Sequence, residues 1–499
     1  MRTNGILMPV FSLPSPYGIG TFGDAAYEFV DFLKKGGQSF WQILPINPTN
    51  YGDSPYQSFS AFAGNPYFID LDILVTEGLL TRSEIEDCDF GDNIECVDYA
   101  KLYKNRYPLL KKAFNRFNMN KNYLEFTAEN SYWLDDYALF TAIKKINRET
   151  AWNTWEDPLK KREPDALKKI AEYCENEINF YKFLQFKFYK QWYALKKYAN
   201  ENGIKIIGDI PIYAAFDSAD VWANPDQFML DSDCNPKLVA GVPPDAFSSD
   251  GQLWGNPVYN WDYIKKTNYS WWKKYLGNAL CRYDIVRIDH FRGFESFFAI
   301  PYGDKDAKGG KWIKGPDTDL FDEIKKDFGE NLPIIAEDLG VITPAVRRML
   351  DKTGFCGMKV LQFAFDGDSN NAYLPHNLIR NCVVYIGTHD NDTVIGWLKN
   401  SDAKTVKFVK DYLNCQSDNG FNWSMIKAAM SSVADTCIIT AADLLGLDSK
   451  GRINTPSTLG GNWTWRIKRE CINDWLAEIL KENTALYGRC PARSDNIQR

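Results

Sequence analysis

The sequence predicts an α/β protein: a (β/α)8 TIM barrel with large, mostly helical insertions on its C-terminal face. Three observations predict it. Eight short apolar runs bounded by turn residues read as strands buried on both faces. Helix-forming sequence follows most of them, and eight such alternations close into a barrel. Two of the gaps between runs are too long for one crossover helix and call for insertions.

In order, the runs are Gly5 to Val10, Phe40 to Ile46, Ile204 to Ile210, Ile285 to Asp289, Pro333 to Glu337, Lys359 to Phe365, Cys382 to Thr388 and Cys437 to Thr440. Ala25 to Lys35 is a clear following helix. So is Pro344 to Lys352, which Thr343 caps with Pro344 at the first helical position. The gap from Asn47 to Gly203 has helical periodicity around Tyr107 to Phe117 and Ile170 to Leu195, so residues 71–200 are expected to form a largely helical insertion. The gap covering residues 211–284 carries Pro243-Pro244-Asp245 and Gly251-Gln252-Leu253-Trp254-Gly255-Asn256-Pro257, and is expected to be loop-rich. The whole chain, 1–499, is thus one barrel domain, and its insertions fall where barrel active sites lie.

Composition narrows the function. With 45% hydrophobic and 25% charged residues, the chain has the balance of a soluble globular protein. A net charge of -7 argues against nucleic acid. The basic triplet Lys160-Lys161-Arg162 lies among acidic neighbours and reads as a solvated helix face. No apolar run approaches the roughly 20 residues that span a bilayer, and the N-terminus lacks a signal-peptide pattern. The eleven scattered cysteines show no metal or redox spacing; they read as free thiols in the core of a cytoplasmic protein. No metal, phosphate-binding loop or dinucleotide motif is expected, so no cofactor. Aromatics reach 15%, and Tyr213, Trp222, Trp254, Tyr259, Trp261, Trp463 and Trp465 sit in loop-like sequence, where flat faces beside carboxylates and amides suit sugar rings.

Four of the strands end in carboxylates: Asp209, Asp289, Glu337 and Asp390. Any one alone reads best as a helix cap or an ion pair. Four on one rim of a barrel point to a site, because buried charge is expensive unless it is used or paired. Two facing carboxylates can break a glycosidic bond, one attacking the anomeric carbon and the other protonating the leaving oxygen. Arg287 lies two residues before Asp289, hence on the same strand face, and its guanidinium favours the ionised form of that carboxylate. Asp289 is therefore the expected nucleophile. Glu337 follows an apolar lead-in with no basic neighbour in sequence, and is the expected acid. Asp390 would steady the positive charge of the transition state. His389 and, more weakly argued, His290 would donate hydrogen bonds to sugar hydroxyls.

At these residues the chain resembles the 4-α-glucanotransferases called amylomaltases or disproportionating enzymes (glycoside hydrolase family 77), relatives of the α-amylase clan. The resemblance runs from Ser12-Leu13-Pro14 and Gly18-Ile19-Gly20, through Trp41-Gln42-Ile43-Leu44-Pro45, Asp53-Ser54-Pro55-Tyr56-Gln57 and Gly208-Asp209-Ile210-Pro211-Ile212-Tyr213. It continues through Gly241-Val242-Pro243-Pro244-Asp245 and Trp254-Gly255-Asn256-Pro257 to Asn462-Trp463-Thr464-Trp465-Arg466. It implies the same three carboxylate roles. It also implies that Asp209, Arg287 and His389 hold the sugar at the cleavage point, that Tyr56 stacks on it, and that Asp245, Trp254, Asn256 and Asn462 bind the glucan. The loop from Pro243 to Trp254 would be the mobile lid over the acceptor side. Some members carry an aromatic where this chain has Ala246. The family implies maltooligosaccharides and amylose-type glucans as substrates, glucose as an acceptor, no cofactor, no metal, and a monomer or small homo-oligomer. An α-amylase-like hydrolase shares the chemistry up to the glycosyl-enzyme. A non-catalytic sugar-binding protein would need no proton donor, and a metal-dependent isomerase would need more than the three histidines present.

Overall fold

Each of the eight apolar runs supplies a strand: Thr3–Leu7, Phe40–Gln42, Lys205–Ile210, Ile285–Ile288, Ile334–Ala336, Gly357–Val360, Cys382–Tyr385 and Thr436–Thr440. In the computed structural model, which describes residues 2–50, 52–244, 249–458 and 460–491, every pairing between neighbours in this sheet is parallel. The sheet closes on itself where the fifth and sixth strands meet, through a parallel bridge between Ile335 and Cys356. There the Ala336 N–H donates to the Cys356 carbonyl at 2.8 Å. The fold is a (β/α)8 barrel.

Most of the strands are shorter than the apolar runs that announced them. The second stops at Gln42, although Ile43, Leu44 and Ile46 beyond it are fully or almost fully buried. The sixth begins at Gly357 and turns into a 3-10 turn, Leu361–Phe363, well before the run ends. Loops fold back over the barrel mouth, so hydrophobicity outlasts the hydrogen-bond ladder. Inside the barrel a polar contact crosses the axis region, where the buried Tyr385 hydroxyl donates to Gln42 Oε1 at 2.8 Å.

Residues 71–200 hold the helices Leu71–Thr76, Arg82–Glu86, Tyr99–Arg116, Lys121–Glu129, Ser131–Ile146, Asp157–Lys160, Pro164–Tyr173 and Glu175–Glu201. The periodicity around Ile170 is split between two helices at Cys174. The last helix has 27 residues, about 40 Å at the usual rise. Its aromatic face packs on the others, with Phe183 between Phe114 and Phe117. Beyond its end comes Gly203, whose φ of +78° lets the Ile204 N–H return to the Ala199 carbonyl and the chain enter the third strand. Arg162 is not a solvated charge. It lies over the buried Trp222 ring at 4.1 Å and pairs with Asp136 at 2.6 Å.

The segment 211–284 is more ordered than its Pro and Gly content suggests. It contains the helices Ala219–Ala223, Trp261–Lys266 and Ser270–Arg282 and two strands of an antiparallel sheet ordered Gln252–Pro257, Leu238–Val242, Ser296–Pro301, Lys311–Lys314. Some of its glycines and prolines lie inside these elements, as Gly241, Gly255, Pro257 and Gly277 do, and others lie between them. The aromatics expected to offer exposed faces are mostly core. Tyr213, Trp222, Tyr259, Trp463 and Trp465 are buried, and only Trp254 and Trp261 are half-buried. Among the cysteines, Cys174, Cys382 and Cys437 are buried while Cys281 and Cys490 are exposed; all eleven are free thiols. No helix of the described residues is long and apolar enough to cross a membrane.

One close approach explains the glycine that precedes Asp209. A Cβ on Gly208 would lie 2.1 Å from the Tyr283 ring, which is buried at the entry to the fourth strand. Gly208→Ala should therefore cost about 1–3 kcal/mol in unfolding free energy, the usual penalty of overpacking. Denaturant titration measures it, and an unchanged midpoint would show that Tyr283 moves aside freely.

Candidate active site

The site is built from the ends of neighbouring strands. In the parallel register Asp209 of the third strand lies beside Arg287 of the fourth. Asp209 is completely buried and Arg287 nearly so. The guanidinium contacts Asp209 Oδ2 at 2.6 Å and Asp289 Oδ1 at 2.9 Å, and its Nε faces Met358 Sδ at 3.4 Å from the sixth strand. One buried cation thus serves two carboxylates. Burial raises the Asp209 carboxyl to about 6, against the pull of Arg287 and with a further push from Asp289. The same two carboxylates hold Arg287 protonated despite its own burial.

Asp289 is the first residue past the fourth strand, and its N–H donates to the Ile210 carbonyl at 3.0 Å. The next residue, His290, adopts a left-handed conformation with φ +50°. That bend aims the His290 N–H at Glu337 Oε2, 2.7 Å away, while the Leu339 N–H donates to Oε1 at 2.7 Å. The Glu337 backbone is held too, since its N–H reaches the Ile288 carbonyl and its carbonyl accepts from Phe291. Burial raises the Glu337 carboxyl to about 7, the charge of Asp289 raises it further, and Arg287 and the two N–H groups act against this. A carboxyl pushed toward its protonated form and an Arg-paired carboxylate therefore stand on adjacent strand ends.

Tyr56, on the long loop after the second strand, donates to Asp209 Oδ2 at 2.9 Å. Its ring stacks on His389 with centroids 5.2 Å apart and planes 19° apart, and Trp463 lies 5.9 Å from both rings. His389 Nε2 lies 3.3 Å from Asp390 Oδ2. Asp209, Arg287, Asp289, Glu337, Tyr56, His389 and Asp390 thus form one connected cluster on the C-terminal rim.

Other expected residues are tied differently. Trp254 lies on the strand Gln252–Pro257, and its ring meets the His290 ring edge-on, centroids 4.8 Å apart. Asn256 is buried, accepting from Gln57 at 2.9 Å and donating to the Ala214 carbonyl at 3.0 Å. Asn462 braces its own loop, accepting from the Thr455 N–H at 2.9 Å. Asp245 and Ala246, with part of the expected lid, lie outside the described residues. The end of the segment expected to form the lid, from Gln252 to Trp254, belongs to a strand.

Sequence reasoning missed Asn454 and Arg452, which hold Asp390 through its side chain and its carbonyl. Asn454-Thr455-Pro456 reads as an ordinary turn, and no spacing links it to Asp390. Asp209 Oδ1, Tyr213 OH and His290 Nε2 are among the buried polar atoms that find no hydrogen-bond partner among the described residues. Burial holds the His290 imidazole neutral, its titration lowered to about 4.

A family profile described as 4-alpha-glucanotransferase, glycoside hydrolase family 77, matches residues 8–472. A Clostridium butyricum protein named 4-alpha-glucanotransferase is 50% identical over 487 residues, covering 97% of this chain and 100% of the relative. The Thermus thermophilus 4-alpha-glucanotransferase is 45% identical over 479 residues, with 93% and 95% covered. The solved amylomaltase from Streptococcus agalactiae, in complex with acarbose, superposes with a TM-score of 0.96 at 42% identity over 98% of this chain and 100% of that one. With the family profile matching most of its length and relatives of this identity matching nearly end to end, the chain belongs to the 4-alpha-glucanotransferases of glycoside hydrolase family 77.

Proposed function

We propose that the protein transfers a segment of a 1,4-α-D-glucan to the 4-hydroxyl of an acceptor glucose or glucan by a retaining double displacement. Asp289 attacks the anomeric carbon while Glu337 protonates the departing oxygen. The bond from carbon to the leaving sugar breaks as the ester to Asp289 forms. The acceptor hydroxyl then loses its proton to Glu337 as it displaces Asp289, which restores both groups. Asp390 stabilises the oxocarbenium-like transition state. Tyr56 stacks on the sugar at the cleavage point, where Asp209, Arg287 and His389 hold it. The unpartnered atoms of Asp209 and His290 suit sugar hydroxyls, one as acceptor and the other as donor or acceptor.

The observation that carries this reading is the split between two neighbouring carboxyls. Arg287 contacts Asp289 at 2.9 Å, while burial and the Asp289 charge push Glu337 up to about 7. Nucleophile and acid need that difference. Maltooligosaccharides and amylose-type glucans are the proposed substrates, as the acarbose-bound relative supports. Trp254 beside His290 is proposed as an acceptor-side surface, with Asn256, Asn462 and Asp245 on the glucan path. The eleven free thiols support a reducing, cytoplasmic location, and a monomer or small homo-oligomer is proposed.

Incubation with maltotriose alone tests the activity. Products longer than the substrate are expected, resolved by length; only shorter products would make the protein a hydrolase. The pH dependence tests the acid. Glu337 acts protonated, so kcat/KM should fall about tenfold per pH unit as pH rises through about 7. Glu337→Gln should lose turnover of maltooligosaccharides yet still be glycosylated by α-glucosyl fluoride, whose leaving group needs no proton. Equal loss on both substrates would remove Glu337 from the role. Arg287→Lys should lower kcat strongly, since one ammonium cannot meet Asp209 and Asp289 with a planar fork. Near-normal kcat in that variant would mean the two carboxylates do not depend on shared donors.

A further inference from the structure

We infer that Asn454 is a positioning residue for the reaction, one that sets the orientation of Asp390; this rests on the role proposed for Asp390. The two oxygens of that carboxylate are held from opposite sides. Asn454 Nδ2 donates to Oδ1 at 2.6 Å, and His389 Nε2 lies 3.3 Å from Oδ2. His389 is fixed by its stack on Tyr56, so it orients one oxygen only. Without the second donor the Asp390 carboxylate, which is partly open to solvent, is free to rotate about its Cβ–Cγ bond.

Asn454 comes from the loop after the eighth strand, not from the strand that carries Asp390. The connection between them is redundant. The Asn454 N–H donates to the His389 carbonyl at 3.1 Å. Arg452 donates from Nη2 to the Asp390 carbonyl and from Nε to the Asn454 carbonyl, each at 2.8 Å. Backbone is thus locked to backbone on both sides of the side-chain bond. An amide that only closed a loop would need none of this register, and it would not spend its N–H on a carboxylate at the reacting centre. Asn454 also lines a cavity of about 500 Å³ shared with Asp392, Asn462 and Trp465.

The titratable and charged groups around Asp390 are His389 on its own segment, Arg452 on the loop, and Asp209, Arg287 and Asp289, which with Asp390 surround Tyr56. Asn454 is the neutral donor among them. Replacing it with a carboxylate puts two acids within hydrogen-bond distance, and such a pair keeps one proton. While that proton sits between them, the introduced carboxyl donates to Asp390 as the amide of Asn454 does; once both acids ionise, they repel.

The test uses the full chain with maltotriose and measures kcat, KM and pH profile for Asn454→Ala and Asn454→Asp, with Asp390→Asn as reference. Asn454→Ala is expected to lower kcat by about 10-fold or more with KM changed less than about threefold, the pattern of a contact that matters in the transition state. Asn454→Asp is expected to lose activity as pH rises and to recover toward wild type as pH falls, a dependence a loop brace would not produce. Two results would overturn the inference, and a third the reading it rests on. One is wild-type kcat in Asn454→Ala while Asp390→Asn is inactive. Another is an Asn454→Asp profile parallel to wild type. The third is full activity in Asp390→Asn, which would instead sink the role given to Asp390. If Asn454→Ala fails to fold, the pH response of Asn454→Asp decides alone.

Discussion

The site depends on one buried cation. Arg287 sits inside the barrel wall with Asp209 on one side and Asp289 on the other, and its charge lets two carboxylates exist where water is scarce. Such an arrangement is a poor source of stability. The desolvation of three charged groups consumes most of what their attraction returns, and removing the cation alone would strand the others at a cost of about 3–5 kcal/mol. The barrel tolerates this because the parallel register makes Asp209 and Arg287 direct neighbours. What the cluster provides is chemical asymmetry: one carboxylate ion-paired, another pushed toward its protonated form.

The asymmetry needs insulation as well as charge. Tyr56 covers Asp209 from a loop fixed by contacts far from the mouth. The Ala61 N–H donates to the buried Asp220 at 2.7 Å, and Arg282 reaches the Ala61 and Phe62 carbonyls. The helices Ala219–Ala223 and Ser270–Arg282 thus brace the loop that carries Tyr56. Their buried aromatics do the work of packing, which is why so few of them face the cleft.

Much of this was legible in the sequence. Strand ends carrying Asp209, Asp289, Glu337 and Asp390 were visible because an acid at the end of an apolar run breaks a strong local rule. Arg287 was visible because strand periodicity puts it on the face of Asp289. Two things were not legible. The strands Leu238–Val242 and Gln252–Pro257 are short and glycine-bearing, and the second is partly exposed, so their pairing comes from tertiary contact rather than local preference. Asn454 was hidden because its meaning lies 64 residues away, in the carboxylate it meets. Loop-like aromatics misled in the other direction, since Trp222 beside Asn and Pro is as buried as any strand residue.

The left-handed turn at His290 has a mechanical consequence. It makes the residue after Asp289 a hydrogen-bond donor to Glu337, so the proposed nucleophile and acid are linked through main chain. A disturbance of the mouth that displaces one displaces the other in step, and their separation behaves as a stiff internal coordinate within softer surroundings. Lid and acceptor surfaces can then drift, lengthen or be exchanged without retuning the bond-breaking pair. In such a scaffold the choice of which molecule receives the sugar evolves separately from the chemistry that releases it.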